Sequence, residues 1–399
     1  MLPLADLKIL DFSWVGVGPI TTKYLADHGA TVIRVESHAR LDVVRLGPPW
    51  HDAKPGIERT QFYASYNTSK SGIALDLAKP EARDIARRLA KWADVAVESF
   101  TPHVMRGWGL AYEDLRALNP RLVMMSTCLQ GQTGPHADFP GYGQLMAALS
   151  GFYAISGWSD RDPAPPYGAY TDFIVPRLAV SALLAAIDHQ RRTGEGQYLD
   201  VSQFEASLHF LAPALLSYDL DGTVAGRGGN RADHAAPHGA YPCAGDDRWI
   251  AISVRGDAEW RAFCGVVGLP DDVRFATHAA RVAAAEDIDA FVGSATRSRD
   301  ARELMDRLQA AGIAAGVVQS CLDLHADPVL EGWGFFQWLE HPARPPAPYE
   351  GHALRLEDTP GRLRWAAPTL GEHTAVVLRD ILGMDDAEIA RLVEQKVAW

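Results

Sequence analysis

One carboxylate in the sequence lies where it could act as a nucleophile. Asp172 follows an aromatic, glycine-containing loop, residues 167–170, and opens a long apolar segment that predicts a helix. A helix N-terminus favours the ionised carboxylate and apolar surroundings exclude water, and both suit covalent catalysis by an aspartate. An aspartate at a helix start is also an ordinary capping residue. The residues alone therefore leave both roles of Asp172 open.

A glycine turn near the N-terminus could bind an anion. Residues 15–19 read Val-Gly-Val-Gly-Pro, follow a predicted strand and open a predicted helix, and Glu36 ends the next strand. This spacing resembles the dinucleotide-binding fingerprint, but the third glycine is missing. NAD, another phosphate-bearing ligand held at the helix N-terminus, and a purely structural turn are all compatible with this segment.

Other chemistries lack the residues that they need. The sequence has no G-x-S-x-G elbow and no H-E-x-x-H pair, and Pro237 separates His234 from His238. The four cysteines lie far apart and without a C-x-x-C, at Cys128, Cys243, Cys264 and Cys321. We therefore predict reduced, structural cysteines, no metal site and no serine hydrolase.

Composition narrows the class of protein further. The chain has 399 residues, 47% of them apolar, and a formal net charge of −12 without basic clusters. Its length favours two domains, and its charge argues against nucleic acid as a partner. The N-terminal residues do not resemble a signal peptide, and no uninterrupted apolar stretch is long enough to span a membrane. We therefore expect a cytoplasmic protein without a membrane partner.

The first half of the chain alternates between strand-like and helix-like segments. Apolar runs predict strands at 7–12, 31–35, 73–77, 94–97, 121–126 and 197–201. Amphipathic segments predict helices at 19–28, 80–92 and 112–118, and a longer apolar one at 172–192 that stops at Gly194. Such alternation is typical of an α/β domain with a mostly parallel sheet. The intervening residues 130–170 are predicted to be loop-rich.

The second half has a different pattern. A polar, glycine-rich break at 221–233 precedes a predicted hairpin at 238–254 and helices at 258–267, 288–295 and 299–311. These elements predict a smaller α+β domain at 221–330. Residues 342–348 are rich in proline and predict a connector, and the tail from residue 370 has helical patterning.

Motifs in order along nearly the whole chain resemble the class III CoA-transferases, the family of formyl-CoA transferase and carnitine CoA-transferase (CaiB–BaiF). Residues 7–12 and 25–36, with Gly18-Pro19, resemble the opening βαβ unit of the family. Residues 94–109 resemble the strand and turn around its CoA. Three further motifs are NTSKSGIALDL at 67–77, TGEGQYLDVS at 193–202 and APTLGEH at 367–373.

This resemblance implies a fold and an assembly. It implies a Rossmann-like large domain with a parallel sheet, formed by residues 1–220 and completed by a returning segment at 331–399. The smaller domain would lie between them. Each subunit would be an open ring, interlocked with a second subunit in a homodimer or a heteromer.

The resemblance also implies the reaction. The enzyme would move CoA from an acyl-CoA donor to a carboxylic acid, with CoA as a substrate and no tightly bound cofactor. Asp172 matches the catalytic aspartate, which forms a mixed anhydride and then an aspartyl-CoA thioester. The residues implied near CoA are Val17, His38, Lys70, Ser99, Phe100 and Arg106. Those implied in the acyl pocket are Tyr142, Gln144 and Tyr170.

Two departures distinguish branches of the family. Residues 141–144, Gly-Tyr-Gly-Gln, lack the proton-shuttling histidine of the acyl-CoA racemases, which argues against a racemase. A racemase or isomerase of the same family is kept as the alternative enzyme. The segment around Thr171 and Pro176, together with residues 188–192, resembles the benzylsuccinate CoA-transferase branch. That likeness implies succinyl-CoA as the donor and a bulky or aromatic acid as the acceptor. Some members of that branch pair a catalytic chain with a non-catalytic one, so a subunit role is the other alternative.

Overall fold

The computed structural model describes residues 1–270 and 272–399, which form two compact units. The larger unit comprises Met1–Phe152, Pro166–Gly222 and Glu331–Trp399, and the smaller comprises Tyr153–Pro165 and Thr223–Leu330. The sequence prediction puts residues 153–165 in the larger domain. They group with the smaller unit because the N–H of Gly229 donates to the carbonyl of Gly157, and the Arg227 side chain donates to the carbonyl of Trp158.

A six-stranded parallel sheet organises the larger unit. Its strands are β1 (Lys8–Asp11), β2 (Thr31–Glu36), β3 (Ser71–Ala74), β4 (Val95–Glu98), β5 (Val123–Cys128) and β6 (Tyr198–Ser202). They lie in the order β3-β2-β1-β4-β5-β6, and Ile9 of β1 pairs with Val32 on one side and Val95 on the other. The order reverses between β1 and β4, where α/β sheets open a crevice for ligands.

Helices cover both faces of this sheet, which explains why its strands are apolar on both sides. In chain order, the helices of residues 1–222 are α1 (Val17–Asp27), α2 (Gln61–Tyr66), α3 (Pro80–Trp92), α4 (His103–Gly107), α5 (Tyr112–Leu118), α6 (Gly143–Leu149), α7 (Phe152–Ile155), α8 (Tyr170–Thr193), α9 (Gln203–Leu208) and α10 (Ala212–Asp221). Three-residue 3₁₀ helices lie at Val43–Arg45, His51–Ala53 and His209–Leu211, and a fourth, Val273–Phe275, lies in the smaller unit. Gly194 ends α8 in the left-handed conformation, as predicted. The predicted loop zone contains α6 and α7.

The smaller unit combines an antiparallel sheet with helices. Its strands β7 (His238–Pro242), β8 (Trp249–Ser253) and β9 (Ala314–Val318) pair in that order, so the predicted hairpin is confirmed. The helices that follow β8 are α11 (Asp257–Val267), α12 (His278–Ala283), α13 (Ala285–Thr296), α14 (Ala301–Ala310), α15 (Cys321–His325) and α16 (Pro328–Gly332). The apolar faces of α11, α13 and α14 form one core with this sheet.

The returning segment contains a hairpin where the sequence predicts a connector. Strands β10 (Phe336–His341) and β11 (Arg344–Glu350) pair antiparallel, so the prediction of a connector at 342–348 is wrong. Prolines are tolerated in an edge strand because alternate N–H groups there point away from the partner. Helices α17 (Thr374–Asp380) and α18 (Asp386–Glu394) follow. The chain then reaches β3, where the N–H of Trp399 donates to the carbonyl of Ala74.

Helix α8 is 24 residues long and rich in apolar residues. Among the described residues, α8 is long and apolar enough to cross a membrane, but half of its apolar window is buried within the structure. The central helix of a soluble protein meets the same criteria. Helix α8 packs mainly against α1, α6 and α9.

Candidate active site

A cleft of about 760 Å³ runs along the carboxyl edge of the parallel sheet. Its lining comes from the segments that follow the strands: residues 12–17 after β1, 37–43 after β2, 75–78 after β3 and 99–108 after β4. Residues 127–129 at the end of β5, the segment 137–142, Asp172 and Gln203 complete it. The candidate nucleophile therefore lies in the crevice that the strand order predicts.

Asp172 occupies the first turn of α8 and is 8% exposed. The N-cap of α8 is Ala169, so Asp172 lies inside the helix and its side chain turns toward the cleft instead of capping the helix. Burial raises the pKa of its carboxyl from 3.8 to about 6, although hydrogen bonds from Gln203 and Gly143 oppose the rise. A carboxylate with this pKa is mostly ionised near neutral pH and poorly solvated, which suits a nucleophile.

Two glycines enclose the Asp172 carboxylate. A Cβ on Gly16 would lie 2.9 Å from the Asp172 Cβ, and a Cβ on Gly143 would lie 2.7 Å from its Oδ1. Gly16 belongs to the turn after β1, and Gly143 begins α6. Close approach of backbone to the carboxylate is therefore one reason for the glycines in both segments.

Gln203 supplies a side-chain donor to the same carboxylate. Its Nε2 lies 2.6 Å from Oδ1 of Asp172 and 2.8 Å from Oγ1 of Thr171. Gln203 is 3% exposed and lines the cleft at the start of α9, directly after β6. Gln203 is not among the site residues predicted from the sequence. The feature of the sequence that could have indicated Gln203 is its position at the carboxyl end of the last parallel strand.

The turn at 15–19 is held by charged groups below the cleft. Val15 adopts a φ of +64°, and its N–H donates to both carboxylate oxygens of Asp42, 3.3 and 3.2 Å away. The guanidinium of Arg34 donates to Asp42 and also to the carbonyl of Ser13. Arg34 and Asp42 are fully buried. This ion pair therefore fixes the turn that brings Gly16 against Asp172.

Three of the residues implied near CoA line the cleft: Val17, Ser99 and Phe100. The Ser99 hydroxyl accepts the N–H of Trp14 at 2.7 Å, which joins the loops after β1 and β4. The Phe100 ring lies edge-on to Trp14 and Trp108, with 5.5 Å between ring centres in both pairs. These aromatic rings form an apolar wall of the cleft.

The buried carboxyl group of Glu98 accepts a hydrogen bond from the backbone of Phe100. Oε2 of Glu98 accepts the N–H of Phe100 at 2.7 Å, and Glu98 is 2% exposed. Burial raises the pKa of Glu98 to about 7. The position of the aromatic wall therefore depends on a group that titrates near neutral pH.

The other three residues implied near CoA lie outside the described lining. Lys70 is fully buried, and its ammonium donates to Asp11, Asn67 and the carbonyl of Pro19, all within 3.0 Å. Burial lowers the pKa of Lys70 to about 8. All three of its N–H donors are engaged, so the structure gives Lys70 a place in the core.

His38 and Arg106 are exposed. The His38 ring packs against Trp399 with 5.1 Å between ring centres, whereas its neighbours Ser37 and Ala39 line the cleft. Arg106 lies on α4, from which Val104 contributes to the lining. The family resemblance thus selects segments that line the cleft, but the His38 and Arg106 side chains lie outside the described lining.

The three residues implied in the acyl pocket also differ in whether they line the cleft. Tyr142 lines the cleft and is 56% exposed, whereas Gln144 and Tyr170 lie outside its described lining. The Tyr170 ring contacts Phe152, with 5.3 Å between ring centres. Tyr142 therefore stays a candidate for the acyl pocket, and Tyr170 packs at the start of α8.

A cation that the sequence analysis missed lies in the cleft. Arg40 follows β2 and lines the cleft, and its guanidinium carbon lies 5.7 Å from the centre of the Trp14 ring. As with Gln203, the feature of the sequence that could have indicated Arg40 is its position shortly after the carboxyl end of a parallel strand. Within residues 1–270 and 272–399, no group of three or more His, Cys, Asp or Glu side chains is placed to hold a metal ion.

Comparison with known proteins decides the family. A family model described as CoA-transferase family III matches residues 4–374. The chain belongs to CoA-transferase family III. The predicted membership is therefore confirmed, and a CoA thioester is the phosphate-bearing ligand that the family uses.

Relatives of this family III transferase match along its whole length. A succinate–glutarate CoA-transferase from Agrobacterium fabrum is 33% identical over 95% of this chain and 96% of its own. A succinyl-CoA–D-citramalate CoA-transferase from Chloroflexus aurantiacus is 31% identical, over 99% and 98% respectively. The crystal structure of a CAIB/BAIF family protein from Brucella suis is 29% identical, with a TM-score of 0.88 over 95% of this chain and 99% of that one.

Proposed function

We propose that this CoA-transferase uses Asp172 as its nucleophile and succinyl-CoA as its donor, and passes the CoA to a second carboxylic acid. The observation that carries the proposal is the buried Asp172 carboxylate, enclosed by two glycines at the carboxyl edge of the sheet. The names of the two relatives described above support succinate as the donor acid. CoA enters and leaves as part of a substrate, and no tightly bound cofactor is needed.

The reaction proceeds through covalent steps on Asp172. One carboxylate oxygen attacks the thioester carbon, the C–S bond breaks, and a succinyl–aspartyl anhydride and CoA thiolate form. The thiolate attacks Cγ of Asp172, the C–O bond breaks, and succinate leaves from the aspartyl-CoA thioester. The acceptor carboxylate then repeats these two steps in reverse order and leaves as its CoA thioester. Each step exchanges one activated acyl bond for another, so the thioester energy is preserved.

Water must be excluded because every intermediate can hydrolyse. The apolar wall of Trp14, Phe100 and Trp108 lines the cleft that contains Asp172, and Leu129 and Phe139 line it as well. We propose that this wall contacts the pantetheine chain of CoA. Arg40 is the cleft cation that we assign to the CoA phosphates, because a guanidinium binds phosphate oxygens in pairs.

We propose that the enzyme is a homodimer of interlocked subunits. Helix α10 is fully described and has no buried residue, and it exposes Leu216, Tyr218 and Leu220 at 58%, 61% and 85%. An exposed apolar face of this kind is typical of an interface. A dimer that persists on dilution in sedimentation experiments is expected, and a stable compact monomer would contradict it.

We also propose a cytoplasmic location. No disulfide joins the cysteines of the described residues, and Cys321 is exposed. Cysteines that form no disulfide are typical of proteins in a reducing compartment. Fractionation of the producing cells, followed by immunodetection, would place the enzyme with the cytoplasmic or the membrane fraction.

Mass spectrometry of reaction mixtures tests the proposed function. Succinyl-CoA and acetyl-CoA serve as donors, and a panel that includes glutarate, citramalate and aromatic acids serves as acceptors. We expect a new acyl-CoA with succinyl-CoA as donor, and none with Asp172→Ala or Asp172→Asn. Normal turnover in these two variants would remove Asp172 from the mechanism. Formation of the new acyl-CoA with acetyl-CoA as donor, but not with succinyl-CoA, would contradict the proposed donor.

A further inference from the structure

We infer that the side-chain amide of Gln203 is a catalytic hydrogen-bond donor that stabilises the oxyanion formed on Asp172 when CoA thiolate attacks its acylated carboxyl group. This inference rests on the proposed role of Asp172 as nucleophile. It adds to that role a specific donor and a specific step.

Geometry fixes the orientation of the Gln203 amide. An ionised carboxylate has no hydrogen to donate, so Gln203 must turn its NH₂ group toward Oδ1 of Asp172, 2.6 Å away. The second hydrogen of that NH₂ group points to Oγ1 of Thr171 at 2.8 Å. The Thr171 hydroxyl in turn donates to the carbonyl of Gly143 at 3.0 Å.

This arrangement is a closed network around the carboxylate. Gly143 accepts from Thr171 through its carbonyl and donates to Asp172 through its N–H. Gln203 and Thr171 are both buried, at 3% and 0% exposure. Both amide hydrogens are engaged and water is largely excluded, so the donor is already oriented before any substrate reacts.

The charge on Oδ1 changes during the reaction. In the anhydride, the oxygen that bonds to Gln203 is the neutral carbonyl oxygen of the aspartyl group, and the other oxygen carries the succinyl group. When thiolate attacks Cγ, a C–S bond forms and the carbonyl electron pair moves onto Oδ1. The pair then returns to re-form the carbonyl, and succinate leaves with the electrons of the broken C–O bond.

A donor contributes to rate where its bond is stronger in the transition state than before it. The bond from Gln203 to a neutral carbonyl oxygen is weaker than the bond to the oxyanion that replaces it. In the resting enzyme, the same bond stabilises the carboxylate and so lowers its nucleophilicity. The benefit of Gln203 therefore falls mainly on thiolate attack at the acylated Asp172.

The test compares Gln203→Met with Gln190→Met. Gln190 is also a buried glutamine that donates twice through Nε2, to the carbonyls of Asp94 and Arg121, but it lies in the last turn of α8. Gln203→Met should lower kcat by roughly 100- to 1,000-fold, the usual loss for one oxyanion donor. KM for succinyl-CoA should stay within threefold. Gln190→Met should leave kcat within threefold of the wild type.

Intermediates give a second readout. Intact-mass measurement of Gln203→Met with succinyl-CoA alone should show the succinylated protein, because its conversion to the CoA adduct is slowed. The acid limb of kcat/KM should also move to higher pH, since a donor that favours the ionised carboxylate has been removed. A role confined to packing would change neither quantity.

The outcomes separate this inference from the proposed function. Activity of Gln203→Met within threefold of the wild type, with Asp172→Ala inactive, would overturn the inference and leave Asp172 as nucleophile. Activity of Asp172→Ala would overturn both. Should Gln203→Met fail to fold, Gln203→Leu fills the same buried position with a smaller apolar side chain that has no donor. More than 10% of wild-type kcat in that variant would also overturn the inference.

Discussion

Val15 and Asp42 are joined across the base of the cleft: the N–H of Val15, a residue with a φ of +64°, donates to both oxygens of a fully buried carboxylate. A β-branched residue rarely adopts this conformation, and the cost is about 1–3 kcal/mol. Asp42 and its partner Arg34 therefore hold a strained turn in the position that places Gly16 against Asp172.

Substitutions at Val15 test whether its strained backbone conformation is needed for activity. Val15→Gly removes the Cβ that opposes a positive φ, so we expect unchanged or increased thermal stability with little change in kcat. Val15→Ala keeps that Cβ and is the matched control. Asp42→Asn removes the carboxylate nearest to the buried Arg34 guanidinium, which keeps Glu36 and Asp11 at 3.5 and 3.9 Å, and should lower the free energy of unfolding by about 1.5–3 kcal/mol, as for the loss of a charged hydrogen bond. Stability of Asp42→Asn equal to that of the wild type would show that the turn is held by other contacts.

Space around Asp172 should be as important as its charge. Gly143→Ala would place a Cβ 2.7 Å from Oδ1 of Asp172, so we expect kcat to fall by at least about 100-fold, as for other misplaced catalytic groups. Gly107→Ala is the control, because a Cβ there would meet no described atom within 4 Å. Kinetics and thermal unfolding of both variants check this prediction. Comparable activity of the two variants would refute it.

The pKa of Asp172 predicts the pH dependence of activity. Attack requires the carboxylate, and burial raises its pKa to about 6. We therefore expect kcat/KM for succinyl-CoA to rise with pH through about 6 and to level off by pH 8. A flat profile between pH 5 and 8 would contradict this assignment.

The same shift predicts how stability changes with pH. The folded state binds the Asp172 proton more tightly than the unfolded state, whose pKa is near 3.8. This group therefore costs no stability below pH 4 and costs about 3 kcal/mol once pH exceeds 6. Asp172→Asn removes that cost, so its advantage in unfolding free energy should grow from pH 4 to pH 7. A constant difference between the two proteins would refute the raised pKa.

Lys70 offers a test between a core role and a CoA contact. Lys70→Met should leave buried Asp11 without this cation and lower the free energy of unfolding by about 3–5 kcal/mol. KM for succinyl-CoA should stay within threefold in the folded fraction. A large rise in KM without loss of stability would instead support the CoA contact that the sequence resemblance implies.

Arg40 should contribute to CoA binding. Arg40→Ala is expected to raise KM for succinyl-CoA about tenfold, as for the loss of a hydrogen bond to a charged group, and less at high salt. Arg106→Ala is the matched control, since Arg106 is exposed and lies outside the described lining. Equal effects of the two substitutions would remove Arg40 from the phosphate site.

The elements that position the site were predictable because their patterns are local. Strands such as β1 and β2 are short apolar runs, and Gly194 is an unambiguous helix stop. The hairpin of β10 and β11 was missed because prolines in isolation indicate a connector. Its pairing depends on a partner strand, which no local pattern specifies.

The site itself was predictable in its segments but less so in its side chains. Asp172 was selected as the candidate nucleophile because its motif and its place at a helix start coincide. Gln203 was missed because its significance is the 2.6 Å approach to Asp172, which joins residues 31 positions apart. Lys70 was assigned to CoA because its position matches that of a family residue near CoA. Its anionic partner is Asp11, and only the tertiary fold brings the two together.

The returning segment has a consequence for how the chain is made. Residues 331–399 supply Val377, Leu378 and Leu392 to the core that covers Leu75 and Ile85. A ribosome adds about 5–20 residues per second. The apolar face that contains Leu75 and Ile85 therefore stays uncovered for roughly 5 to 20 seconds while the smaller unit is synthesised. During that interval the nascent larger unit exposes surface that is prone to aggregation. Chaperone supply during translation should therefore limit the yield of folded enzyme.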